Sequence, residues 1–161
     1  MYDNIESSGR FGFMKKIMFV CYANTSRSAM AEAILKQMIG DDIEVYSSGI
    51  MAIDGKQSSS VTVEVCKAHG IDITSHTATN FRNSNIGDMD LVLTLEEFYT
   101  ERVKIYYPDL KICTIKQFIG EYPPDINDPA GGDYKVYDAC FCEIKRVLIK
   151  VAKKIKKEYV S

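Results

Sequence analysis

Cys21 and Arg27 enclose five residues, Tyr22-Ala23-Asn24-Thr25-Ser26, and Ser28 follows the arginine. A thiolate is a competent nucleophile, whereas a free thiol with a pKa near ~8.5 is mostly protonated at neutral pH. A nearby guanidinium, the start of a helix and inward-pointing N–H groups would all favour the thiolate. The planar fork of Arg27 suits two oxygens of a phosphate-like anion. Ser28 is placed to donate a hydrogen bond to sulfur. Asn24 tolerates a left-handed backbone and bonds readily to its own loop. These types at this spacing point to chemistry at phosphorus, with the thiol at the floor of an anion site and the guanidinium at its rim. A bare Cys-x5-Arg describes an inert buried cysteine beside a surface arginine equally well, so the flanking elements have to decide.

Residues 17–20, Ile-Met-Phe-Val, suit a buried strand. Residues 29–35, Ala-Met-Ala-Glu-Ala-Ile-Leu, are strong helix formers. A short loop from the end of a strand to the start of a helix gathers backbone N–H groups and the positive helix end at one point. The helix is expected over 26–39, with Gly40 as its stop. Further strands are expected over 43–47, 90–94 and 110–114. Further helices are expected over 61–68, with Ser60 or a neighbour as cap, over 96–105, and over 134–159. The last helix carries an apolar stripe of Cys140, Ile144, Val147, Leu148, Val151 and Ile155 at spacings of three and four. Cys142 falls off that stripe, and the lysines from Lys150 onward read as a solvated face. Repeated strand–helix alternation predicts a parallel sheet covered on both faces, with the loop at the carboxyl ends of its strands.

The loop and its flanks resemble the low-molecular-weight protein tyrosine phosphatase family. That family has a strand, then Cys-x-Gly-Asn-x-Cys-Arg-Ser-Pro, then a helix beginning Met/Ile-Ala-Glu-Ala. Cys21, Asn24, Arg27, Ser28 and Met30-Ala31-Glu32-Ala33 match, while Ala23, Ser26 and Ala29 replace the glycine, second cysteine and proline. The resemblance runs from about Lys16 to the C-terminus. It implies a doubly wound α/β fold with a four-stranded parallel sheet in the order 2-1-3-4. It also implies that Tyr22, Ala23, Asn24, Thr25, Ser26 and Ser28 form a phosphate loop around Cys21 and Arg27, with no cofactor or metal required. By the same resemblance Ser47 contacts that loop and His76 braces Asn24. From the residues alone, Ser47 equally suits a turn and His76 a surface position. Asp128, in Asp128-Pro129 before the last helix, resembles the family's general acid, with Asp125 and Asp133 as local rivals.

Phosphotyrosine in proteins is the family's default substrate. Thr25 occupies a position where the similar protein-arginine phosphatases carry threonine, which keeps phosphoarginine as the alternative. Ala130 stands where an aromatic pocket wall is usual, and Tyr22 or Tyr134 would have to replace it. Thioredoxin-coupled arsenate reductases share the loop but carry relay cysteines after the third strand, and here none follows Leu95 until Cys113. A phospho-binding module without turnover is the non-enzymatic alternative.

The 161 residues suit one domain, with residues 1–14 as a polar N-terminal extension expected to be disordered and 15–161 as the folded unit. A net charge of -2 offers no reason to expect nucleic acid or an anionic membrane as partner. No apolar run approaches the ~20 residues of a membrane span, and no secretory signal is visible. Five cysteines without framework spacing point to a reducing compartment, hence the cytoplasm. The expected partners are a phosphorylated protein and, in the site, phosphate or another oxyanion.

Overall fold

The computed structural model describes residues 14–158. The expected extension lies outside these residues apart from its last member, Met14, which is buried in the core. Four strands, β1 (Lys16–Cys21), β2 (Glu44–Gly49), β3 (Leu91–Thr94) and β4 (Ile112–Thr114), form one parallel sheet in the order β2-β1-β3-β4. This is the 2-1-3-4 order expected from the family resemblance. β3 and β4 are buried at every residue, so both faces of the sheet are covered. The helices are α1 (Arg27–Ile39), α2 (Ser60–Ala68), α3 (Glu97–Tyr106), α4 (Ile115–Phe118) and α5 (Tyr134–Glu158). α1 and α2 pack on α5, while α3 packs on β3 and β4.

The elements form where pattern and punctuation place them. β1 is a nearly continuous apolar run and sits centrally, between β2 and β3. The six stripe residues of α5 are all buried, and Cys142 is exposed. Gly70, with φ of 79°, adopts the left-handed backbone just after the His69 cap of α2. The cap at the start of α2 is Ser59, whose hydroxyl accepts from the Thr62 N–H, rather than Ser60. β4 is two residues shorter than its apolar run, starting at Ile112. The lysine-rich end of α5 forms an exposed face, as expected, and three of its lysines also make tethering contacts. Lys150 pairs with Glu121, Lys154 donates to the Phe118 carbonyl and Lys156 to that of Met38.

Sheet register sets the site. Cys21 ends β1 opposite Gly49 of β2, and Val20 lies opposite Thr94 of β3. The carboxyl ends of three strands therefore meet where the Cys21 loop begins. Helices joining parallel neighbours cross over on the faces, which leaves these ends open to solvent.

Candidate active site

Asn24 organises the loop. Its φ of 57° makes it the single non-glycine residue with positive φ among the described residues. Its polar atoms are all engaged although the residue is fully buried. The N–H donates to Cys21 Sγ at 3.3 Å, and the carbonyl accepts from His76 Nε2 at 2.8 Å. Oδ1 accepts from the Thr79 N–H at 2.9 Å. Nδ2 donates to Ser28 Oγ at 2.8 Å and Ser47 Oγ at 2.9 Å. The Ser47 hydroxyl donates to Glu32 Oε1, and the other oxygen of Glu32 holds Lys36. A left-handed residue with this many partners fixes the direction of the chain between β1 and α1.

Ser28 accepts from Asn24, which leaves one hydroxyl proton and two neighbours for it: Cys21 Sγ at 2.8 Å and the Ser48 carbonyl at 3.3 Å. Beside a thiolate that proton turns to sulfur, where charge makes the stronger bond.

Arg27 is 2% exposed, so the guanidinium lies within the wall rather than at the rim that the sequence suggests. Nη1 donates to Glu96 Oε2 and, at 2.7 Å, to the Ile126 carbonyl. Nη2 donates to Tyr99 Oη at 2.7 Å and lies 3.5 Å from Asp128 Oδ2. Burial opposes the positive charge. The Glu96 hydrogen bond and the nearby Cys21, Tyr99 and Asp128 more than offset it, holding the guanidinium above its ordinary pKa. Burial also pushes the Tyr99 phenol well above its usual value. Glu96 and Tyr99 hold Arg27 in the candidate site, and sequence reasoning missed them. They follow Arg27 by 69 and 72 positions, and no local pattern links them to it.

The carboxylates near the last helix separate by their bonds. Asp128 stands beside Arg27, half exposed, with Oδ1 accepting from the Ala130 N–H at 3.0 Å. Asp125 caps α3 through the Glu97 N–H, and Asp133 accepts from Val136 at the start of α5. Both rivals are occupied at helix ends. Ile126 anchors the loop, with its N–H on the Leu95 carbonyl and its carbonyl on Arg27.

The structure places two of the three departures from the family's loop, Ala23 and Ser26. Ala23 does not take the left-handed conformation, so its Cβ carries no strain of that kind. The close approach falls on Gly49, where a Cβ would lie 2.6 Å from the Tyr22 carbonyl oxygen and 2.8 Å from the Asn24 nitrogen. Ser26 bonds to Thr62 Oγ1 at 2.9 Å, and Ser59 bonds to the same hydroxyl, tying the loop to α2. Thr25 is partly buried, while Tyr22 and Tyr134 are exposed.

The sequence profile of the low molecular weight phosphotyrosine protein phosphatases matches residues 16–161. The chain belongs to this family. Its members are phosphoric monoester hydrolases, so the phosphatase described here is an enzyme of that type. It is 32% identical to a protein-arginine-phosphatase of Geobacillus stearothermophilus, over 89% of this chain and 97% of that one. It is 33% identical to arsenate reductase 2 of Staphylococcus haemolyticus, over 83% and 93% of the two chains. The crystal structure of a low molecular weight protein tyrosine phosphatase from T. tengcongensis superposes with a TM-score of 0.80 at 36% identity, covering 87% of this chain and 99% of that one. Among the described residues, no helix of this phosphatase is long and apolar enough to cross a membrane.

Proposed function

We propose that this phosphatase dephosphorylates proteins in two steps through a phosphocysteine, with Cys21, Arg27 and Asp128 as its catalytic residues. The observation that carries the reading is the grouping of a sulfur held by Ser28 and Asn24 with a buried arginine that touches a half-exposed aspartate. Cys21 thiolate attacks phosphorus in line, forming the S–P bond as the bond to the leaving atom breaks. Arg27 and the N–H groups of the phosphate loop hold the equatorial oxygens, while the Asn24 N–H stays on the sulfur. Asp128 gives its proton to the leaving atom. It then takes one from water, which attacks phosphorus, frees phosphate and restores the thiolate. Ser47 and His76 are positioning residues, because both act through Asn24.

Phosphotyrosine is the first substrate reading, from the family. Phosphoarginine is the second, favoured by Thr25 and by the relative of that activity. Ala130, exposed in place of an aromatic wall, weighs mildly against strict ring recognition, with the exposed Tyr22 and Tyr134 as the rings that could replace that wall. An arsenate reductase relay has less support, since the first cysteine after β3 is Cys113, 1% exposed within β4. Residues 15–161 form the phosphatase domain in this reading. A cytoplasmic location agrees with five unpaired cysteines, one of them the nucleophile.

The test is kcat/KM on matched phosphotyrosine and phosphoarginine peptides in reductant, with acid trapping of the phosphoenzyme. A preference above tenfold, about 1.4 kcal/mol in the barrier, assigns the substrate class. If phosphoarginine is preferred, Thr25→Ile should reverse the preference. Binding of both peptides without a trapped intermediate would refute turnover and leave a phospho-binding module.

A further inference from the structure

Away from the Cys21 loop, the fold brings three side chains of different donor chemistry together. Asp138 and Cys142 lie one turn apart on α5, so both project from the same face. His69 reaches them from the C-terminal cap of α2, where its N–H bonds to the carbonyls of Val65 and Cys66. Its imidazole lies flat on the buried Phe141 ring, with centroids 4.2 Å apart and planes 15° from parallel. Nε2 is 2.7 Å from Asp138 Oδ1. One ligand atom from each of His69, Asp138 and Cys142 lies within 4.8 Å of the other two.

We propose that His69, Asp138 and Cys142 form a binding site for a divalent transition-metal ion of the zinc class, with solvent completing the coordination. The donor set decides the class. Imidazole nitrogen with thiolate sulfur suits zinc, cobalt, nickel and copper, whereas magnesium and calcium take oxygen ligands. Geometry agrees. Bonds of about 2.0–2.3 Å around a tetrahedral ion place ligand atoms roughly 3.3–3.7 Å apart. The His69–Asp138 pair, at 2.7 Å, therefore parts by about 0.6 Å to admit the ion, and Cys142 closes on it. Phe141 and the Asp138 contact already hold the ring in place. On binding, the thiol loses its proton to solvent as the sulfur–metal bond forms, and imidazole stays neutral. The ion would join the end of α2, whose Thr62 holds Ser26, to α5. A plain histidine–carboxylate hydrogen bond is the competing account, and it has no use for Cys142. The sequence conceals the site because His69 stands 69 residues before Asp138. The inference stands apart from the phosphatase reading.

The test uses the full chain with Cys21→Ser, which removes the active-site thiol, titrated in reductant with Co2+ alone. The expected result is one equivalent bound with a cobalt–thiolate charge-transfer band. Cys142→Ser should abolish that band. His69→Gln and Asp138→Asn should each weaken binding at least about tenfold, since even outer-shell partners of a metal are worth 10–100-fold. Zn2+ should raise the thermal midpoint of the Cys21→Ser protein and leave that of the Cys21→Ser/Cys142→Ser protein unmoved. No binding, or a band that survives Cys142→Ser, would overturn the site. A band seen in the wild-type chain and missing from Cys21→Ser would place the metal on the nucleophile instead and equally reject the proposal.

Discussion

The loop around Cys21 and the loop around Asp128 meet at Arg27 but are held by opposite means. Asn24, Arg27 and Ser28 are buried, and each is locked by hydrogen bonds to several elements. Around Asp128, Ile126 is buried, but Asp128, Ala130, Gly131 and Gly132 face solvent. Glu121 at the head of that segment is held by Arg146 and Lys150 of α5, on the surface. The difference follows from the work proposed for each. Stabilising an oxyanion needs donors fixed before reaction, because reorienting them would cost energy at the transition state. Passing a proton to a leaving atom and taking one from water needs an acid open to both. In the proposed mechanism, rigidity is concentrated where charge would develop, and exposure where protons would move.

The largest expected effect is at sulfur. Cys21→Ser should reduce hydrolysis to background and leave the thermal midpoint close to wild type, because the exchange is nearly isosteric. Retained turnover would remove Cys21 from the mechanism. Asp128→Asn should lower kcat by about 10²–10⁴, the usual range for general acid–base catalysis, with stability unchanged. A substrate with a leaving group that needs no proton should recover the first step in this variant. Should Asp125→Asn or Asp133→Asn show the larger kcat loss, the acid has been misassigned.

Asn24→Ala should show the converse. It leaves the Thr79 N–H without its acceptor, removes the donor to Ser28 and Ser47, and places a Cβ residue other than asparagine in the left-handed region. One partly buried unmet N–H at about 1–3 kcal/mol and a left-handed penalty of about 1–2 kcal/mol suggest a loss of roughly 2–5 kcal/mol of stability. Urea unfolding at neutral pH reads this directly. Equal stability losses in Asn24→Ala and Asp128→Asn would break the contrast between the loops.

What could be read beforehand follows the same division. β1, the loop and α1 are contiguous, so strand pattern, asparagine and helix formers reveal both the elements and their junction. The buried stripe of α5 is likewise a local periodicity. Ser47 and His76 reach Asn24 across 23 and 52 residues, and only likeness to a family pointed to them. Glu96, Tyr99 and the backbone contact at Gly49 had no such pointer, because packing chooses these partners after the chain has folded. Asp128 was set apart from Asp125 beforehand only by the likeness of Asp128-Pro129 to a family motif, and the structure adds that Asp125 is taken up by the Glu97 N–H.

The smallest effect concerns the surface tether of the Asp128 segment, and it probes the contrast through pH and salt. Hydrogen bonds from Arg146 and then Lys150 hold the Glu121 carboxyl down from its ordinary 4.5 to about 2. A carboxylate with a lowered pKa in the folded state stabilises the fold above the unfolded-state pKa. That contribution is lost as pH falls through the folded-state value. The wild-type advantage over Glu121→Gln should therefore be full at neutral pH, shrink as pH drops below about 4.5, and vanish near 2. Because these charges are solvent-screened, molar salt should remove most of the advantage even at pH 7. The Asn24→Ala deficit rests on buried and partly buried hydrogen bonds between neutral groups and should be nearly unchanged by the same salt. Matched urea titrations of both variants at low and high salt test this pairing. A salt-insensitive Glu121→Gln difference would mean that the head of the Asp128 segment is held by packing rather than charge, and the two loops would then differ less than their exposure suggests.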